Sequence, residues 1–187
     1  MKQKFSTQEL TTMALLAALL CVSSYISIRL PFSAVPITAQ TLIINIIALL
    51  LKPKKAGITV GIWLLLGLAG LPVFSGGSGG FGVLAGATGG YIIGYLLAAI
   101  LVSVLKGRKN KIIRNTASVL AGILIIYAVG IPWMKIVMHL DWRAAVVTGL
   151  LPFLAGDIIK CIASVYICKP LYRVVNASDM AAGSRAR

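Results

Sequence analysis

Apolar residues fall into six blocks along this chain: Leu10–Ile28, Thr38–Leu51, Ala56–Leu71, Gly90–Leu105, Asn115–Met138 and Ala144–Cys168. Polar clusters or stretches rich in glycine and proline separate them. Each block predicts a helix. Several are shorter than the roughly 20 residues that a perpendicular bilayer crossing needs, so their ends must be buried by neighbours or joined by structured loops. Two stretches break the pattern. Arg29 to Gln40 carries Pro31 and Pro36, too many prolines for a helix, yet it is too apolar for a solvated linker. It predicts a structured cap that dips partly into the bundle. Gly70 to Gly94 holds no charge and reads GLPVFSGGSGGFGVLAGATGGYIIG. Gly82, Gly86, Gly90 and Gly94 recur every four residues, which gives a small-residue ridge for close helix packing if that part is helical. The other reading is an irregular outer loop at Ser75–Gly80 whose backbone meets a ligand.

Composition turns these helices into membrane helices. Of 187 residues, 59% are hydrophobic and 12% charged, with a mean hydropathy of +0.96, more apolar surface than a soluble domain of this size can hide. The expected fold class is an all-α integral membrane protein with six transmembrane helices. Residues 1–176 are expected to make a single transmembrane domain, and 177–187 a small, polar tail, disordered or left over from cloning.

Charge sets the orientation. The net charge is +14. Lys2 and Lys4 precede the first block, Lys52, Lys54 and Lys55 follow the second, and Lys106, Arg108, Lys109, Lys111 and Arg114 follow the fourth. Lys169, Arg173, Arg185 and Arg187 follow the sixth. The alternate loops hold Arg29, Lys135 and Arg143. The positive-inside rule then puts both termini in the cytoplasm. Basic loops that orient helices and meet anionic lipid heads account for the charge, so nucleic acid is not the expected partner. The first block has no clear cleavage site for a signal peptide, and Ser6-Thr7-Gln8-Glu9 before it is a capping box. Cys21, Cys161 and Cys168 lie in apolar context without C-x-x-C spacing, so neither a metal site nor a disulfide framework is expected.

Asp157 and Lys160 are the only charged residues inside the last block. Three positions apart on a helix, they share a face. An ionised side chain at bilayer depth costs roughly 2.5–3.5 kcal/mol, so such residues face the protein interior and mark a ligand or ion path. Three readings stay open: an ion pair that pins the helix, a ligand site, or a proton relay. In the ligand reading Asp157 accepts from N–H donors and Lys160 donates to an acceptor or anion. Pro152 and Gly156 precede the pair, where helix irregularity would free backbone carbonyls. An enzyme is disfavoured. The single histidine, His139, sits beside Asp141 near an outer loop, and no nucleophile–base set appears. Ala14 and Ala18, with Ala17 beside them, give the first helix a small-xxx-small face for an internal or external helix partner.

Four segments together resemble the BioY family, the biotin-specific S components of energy-coupling factor (ECF) transporters. They are Pro36-Ile-Thr-Ala-Gln40, Gly67-Leu-Ala-Gly-Leu-Pro-Val-Phe74, the glycine run ending Thr88-Gly-Gly-Tyr91, and Pro152-Phe-Leu-Ala-Gly-Asp157-Ile-Ile-Lys160. Ala87 stands where the family usually has proline. The resemblance implies high-affinity capture of biotin from outside the cell membrane. It also implies work with a transmembrane coupling protein and two cytoplasmic ATPase subunits, and no catalytic residues, cofactor or metal of its own. The chain has no Walker A sequence, in keeping with ATP hydrolysis elsewhere. Biotin offers two ureido N–H donors, a carbonyl, an apolar ring and chain, and a carboxylate. The expected biotin contacts are Asp157, Lys160, Tyr91, Gln40, Ser75 and Phe74, with Trp63 and Phe81 as further candidates for apolar walls. Ala14 and Ala18 would face the coupling protein. The alternatives are an S component for another small vitamin, or a structural membrane subunit in which the Asp157/Lys160 pair serves only packing.

Overall fold

A computed structural model describes residues 5–107 and 111–184, with side chains described as far as Tyr172. The helices are α1 Thr7–Ser23, α2 Gln40–Leu50, α3 Pro53–Leu68, α4 Phe81–Ala85, α5 Gly89–Leu105, α6 Ile112–Val137, α7 Trp142–Gly149 and α8 Leu151–Ser184. Two short antiparallel strands, β1 Ser27–Ile28 and β2 Ile37–Thr38, staple the base of the first loop. The first five apolar blocks overlap α1, α2, α3, α5 and α6, and the last is split into α7 and α8. The expected tail at 177–187 lies outside the residues whose side chains are described.

Helix starts follow local chemistry. Ser6 Oγ accepts from the Glu9 backbone N–H while Glu9 accepts from the Ser6 backbone N–H, both at 3.2 Å, completing the capping box. The other Glu9 carboxylate oxygen pairs with Lys55 Nζ, tying the start of α1 to the first turn of α3. Pro53 opens α3, where its missing N–H leaves no bond unmade.

The shortness of α2 has a physical explanation. It has 11 residues, about 16 Å at 1.5 Å per residue, and it lies at the centre of the bundle, with Ile44 through Leu51 buried on every side. A buried helix end needs partners for its last carbonyls. Lys106, at the end of α5, supplies them: its Nζ donates to the carbonyls of Ala48 (3.1 Å), Leu49 (2.8 Å) and Leu51. Ser103 Oγ donates to Leu51 as well. One of the basic residues counted above as an orientation signal therefore also caps a helix, where a cation is favoured by the helix dipole.

Glycine spacing decides the closest packing, between α5 and α6. A Cβ on Gly90 would come 2.3 Å from Trp133 Cβ, and one on Gly94 would come 3.0 Å from the Ile126 backbone. From the other side, a Cβ on Gly122 would come 2.4 Å from Val102. The four-residue ridge thus works over its second half only. Gly86 ends α4, and Gly82 faces open space.

Outward faces carry Leu15, Leu19 and Val22 on α1, Ile62 and Leu65 on α3, Leu97 and Val104 on α5, Leu120 and Leu124 on α6, and Ile159 and Tyr166 on α8, all exposed. An apolar surface of that extent is one that water does not tolerate. Ile112–Val137 and Trp142–Tyr172 are long and apolar enough to cross a bilayer, with mean hydropathies of 2.0 and 1.8. Thr7–Ser23, Gln40–Leu50 and Gly89–Leu105 are apolar but shorter.

Candidate binding site

Pro152 breaks the last apolar block. Lacking an N–H, it leaves the Thr148 carbonyl without its helical donor. Phe153 turns its own N–H to Leu150 (3.0 Å), which releases the Gly149 carbonyl too. Both are taken up by side chains from elsewhere. Ser33 Oγ, in the first loop, donates to Thr148 at 2.8 Å, and Tyr91 Oη, on α5, donates to Gly149 at 3.0 Å. The carbonyls expected to open here to a ligand instead anchor the loop and a tyrosine. Tyr91 needs glycine around it: a Cβ on Gly130 would come 2.5 Å from its ring, and one on Gly149 would come 2.5 Å from its hydroxyl.

One turn beyond the break, α8 presents Phe153, Asp157, Lys160, Cys161 and Ser164 along its inner face. Asp157 is 7% exposed. Its Oδ1 accepts from Lys160 Nζ at 3.1 Å, and its Oδ2 accepts from Tyr127 Oη of α6 at 2.5 Å. Lys160 Nζ also donates to Thr41 Oγ1 of α2 at 3.1 Å. Three helices meet on this pair. A carboxylate offers about four lone-pair sites and an ammonium three donors. Among the described residues, Asp157 therefore keeps free acceptor capacity, and Lys160 one free donor.

A cleft of ≈ 20 Å³ opens on the pair. Its walls include Tyr91, Tyr95 and Tyr127, with Phe153 from α8 and with Val35 and Pro36 from the first loop. The rings of Tyr91 and Tyr127 meet edge to face, centroids 6.4 Å apart. That volume accommodates about one water. Pro36 also lines a larger cavity of ≈ 280 Å³ nearer the loops, bounded by Arg29, Ser33, Ser75, Ser78 and Thr88. The first loop is the roof of the cleft and a wall of the cavity, as its proline-rich, apolar sequence leads one to expect.

The expected site residues separate into three groups. Asp157, Lys160 and Tyr91 meet in the cleft, and Ser75 lines the outer cavity. Gln40 and Phe74 line neither. Gln40 is buried, donating to the Val73 carbonyl (3.1 Å) and accepting from Ser75 Oγ (3.0 Å), so it positions the glycine-rich turn. Phe74 is fully buried against Trp63, with ring centroids 5.2 Å apart, over Gly67, where a Cβ would sit 2.1 Å from its ring. Trp63 shares that core, and Phe81 is 72% exposed. The turn is a bridge from Phe74 to Ser78, with Gly76 and Gly77 at φ 73° and 72°, where other residues are strained. Ala14 and Ala18 are exposed on α1, while Ala17 packs inward.

Sequence reasoning missed Tyr127, Thr41 and Tyr95. Only Tyr127 carried a signal, as a lone tyrosine hydroxyl in the middle of an apolar block.

A sequence profile described as the BioY family matches residues 1–177. The chain belongs to the BioY family. It is 37% identical over 161 residues to the biotin transporter BioY2 of Lactococcus lactis subsp. cremoris (strain MG1363), covering 86% of this chain and 87% of that protein. With the biotin transporter BioY of Thermotoga maritima it shares 35% identity over 167 residues, 89% of this chain and 97% of that one. The fold is similar to a crystal structure of the S-component for biotin from an ECF-type ABC transporter, with a TM-score of 0.83 and 28% identity. That match covers 91% of this chain and 95% of the other. The BioY blocks recognised in the sequence supply the cleft's charged pair, its loop roof and the glycine-rich turn beside it.

Proposed function

We propose that this protein is the biotin-binding subunit of an ECF-type transporter, capturing biotin from the outer side of the cell membrane. The observation that carries the reading is the Asp157–Lys160 pair, its carboxylate buried and its lysine partly so, open to a cleft and not fully used by its described neighbours. The free acceptor capacity on Asp157 suits a ureido N–H, and the free donor on Lys160 suits the ureido carbonyl. The tyrosines and Phe153 are walls for the apolar ring. The names of the related proteins favour biotin over another small vitamin.

In this reading the chain crosses the membrane six times with both termini in the cytoplasm. It works with a transmembrane coupling protein, met through the exposed Ala14/Ala18 face, and with two cytoplasmic ATPase subunits. It has no catalytic role of its own. Biotin enters when the first loop moves away from the cleft, since the closed cleft is far too small for the bicyclic ring.

A second reading has its own observation. The 3.1 Å contact between Asp157 and Lys160 is what a purely packing ion pair would make. Radiolabelled biotin binding to the purified protein separates the two. Asp157→Asn removes a charge-assisted acceptor contributing about 1.5–3 kcal/mol, so affinity falls ten- to a hundredfold. A folded Asp157→Asn protein with parental affinity would leave the pair as packing only.

A further inference from the structure

Asn45 is the one polar residue from Leu42 to Leu51, and it is 2% exposed. Its amide makes no hydrogen bond among the described residues, although a side-chain amide carries two N–H donors and an oxygen with two lone pairs. Such a group is costly to leave bare in a core. No wholly enclosed side-chain nitrogen or oxygen among the described residues lacks a partner. The Asn45 amide, which has none, therefore borders a small space and is not sealed in by apolar atoms.

Two contacts between α2 and α8 place the surroundings of that amide. Lys160 Nζ donates to Thr41 Oγ1 at 3.1 Å, and Cys168 Sγ lies 4.0 Å from the Ile46 carbonyl oxygen. The two helices therefore run side by side in the same direction. Ser164, one turn past Lys160, comes level with Asn45, one turn past Thr41. Ser164 is fully buried and donates to the Cys161 carbonyl at 2.8 Å, which leaves the lone pairs of its own oxygen uncommitted. Thr41 Oγ1 accepts from Lys160, and its hydroxyl hydrogen goes to no described acceptor. Three polar groups with unused capacity thus converge on one turn of the α2–α8 interface, next to the charged pair. A buried water takes about three such partners. We infer that Asn45, Ser164 and Thr41 hold a buried water, and that this water takes the Thr41 hydroxyl hydrogen and so keeps the Thr41 oxygen turned toward Lys160. Asn45 is then a positioning residue, acting on the lysine through the water and Thr41. The water site stands on the geometry of α2 and α8 alone, while its effect on ligand affinity rests on the biotin reading above.

Two measurements on the full-length protein test this. A crystal structure at a resolution that shows ordered water should place one within hydrogen-bond distance of Asn45, Ser164 and Thr41. Radiolabelled biotin binding then compares the parent with Asn45→Leu and Asn45→Ser. Leucine fills the space of the amide with apolar atoms and expels the water, so biotin affinity should fall by about fivefold, the worth of one ordinary hydrogen bond. Serine leaves room for the water and keeps a hydroxyl on it, so the loss should be smaller. A residue that only packs predicts the opposite order, because leucine matches the volume and serine leaves a cavity. Asn45→Leu binding biotin as well as Asn45→Ser, or better, would make Asn45 a packing residue and overturn the inference. So would a crystal structure in which the Asn45 amide bonds Ser164 directly, with no water between them. A parent that binds no biotin brings down the biotin reading and with it the role in affinity, and the water site then stands or falls on the crystal structure.

Discussion

Lys160→Met, alone and combined with Asp157→Asn, separates the ligand role of the buried pair from its packing role. In the parent the two side chains are 18% and 10% exposed and 3.1 Å apart. Removing the lysine strands a carboxylate at bilayer depth with Tyr127 as its remaining described donor. Breaking a buried pair costs about 3–5 kcal/mol, and the surviving Tyr127 bond puts this case near the lower end. In the double variant neither charge remains, and the amide at position 157 still accepts from Tyr127. The cost then falls to about 1 kcal/mol, one ordinary hydrogen bond. A difference of about 2 kcal/mol corresponds to a melting temperature about 4–8 °C lower for the single variant than for the double in a chain of this size. Thermal unfolding in micelles reads the stability, and radiolabelled biotin binding on the same samples reads the function. Stability should recover in the double variant while biotin binding stays at least tenfold weaker than in the parent. Recovery of both would refute the ligand role. A single variant as stable as the double would refute the claim that the charges are buried as a pair.

Gly130→Ala places a methyl carbon 2.5 Å from the Tyr91 ring, so overpacking of about 1–3 kcal/mol and weakened biotin binding are expected; a variant with parental melting and affinity would mean the α5–α6 contact is slack. Ala14→Leu and Ala18→Trp alter an exposed face and should leave melting and biotin binding intact while co-purification of the coupling protein and ATPases is lost; loss of biotin binding in the isolated variants would mean the alanine face packs inside the bundle. A cysteine replacing Lys111 should be labelled from the cytoplasmic side only, and one replacing Asp141 from outside only; the reverse pattern would invert the proposed topology.

How legible each feature was depended on whether its cause lies close in the chain. The helical blocks were readable because an apolar run, a capping box or a helix-opening proline acts within a few residues. The shared face of Asp157 and Lys160 follows from helical spacing alone. Tyr127 was not legible as their partner: it lies 30 residues from Asp157, and no local pattern marks which tyrosine of an apolar helix turns inward. Phe74 and Gln40 sit in recognisable motifs, yet a motif does not say how a residue packs: Phe74 is buried against Trp63, and Gln40 bonds Val73 and Ser75.

The sequence by itself determined the class of the protein, the position of its helices and the residues that could not lie in lipid uncompensated, as consequences of composition, short-range periodicity and the cost of a charge in hydrocarbon. The family came from the resemblance of four motifs. Only the tertiary structure decided who satisfies whom. Lys106 closes the end of α2, Ser33 and Tyr91 take the carbonyls that Pro152 releases, and Thr41 and Tyr127 complete the charged pair. Each of these bonds joins segments far apart in the chain. Their partners are fixed by which helices pack together, because a buried polar group must find a donor or acceptor wherever the fold supplies one.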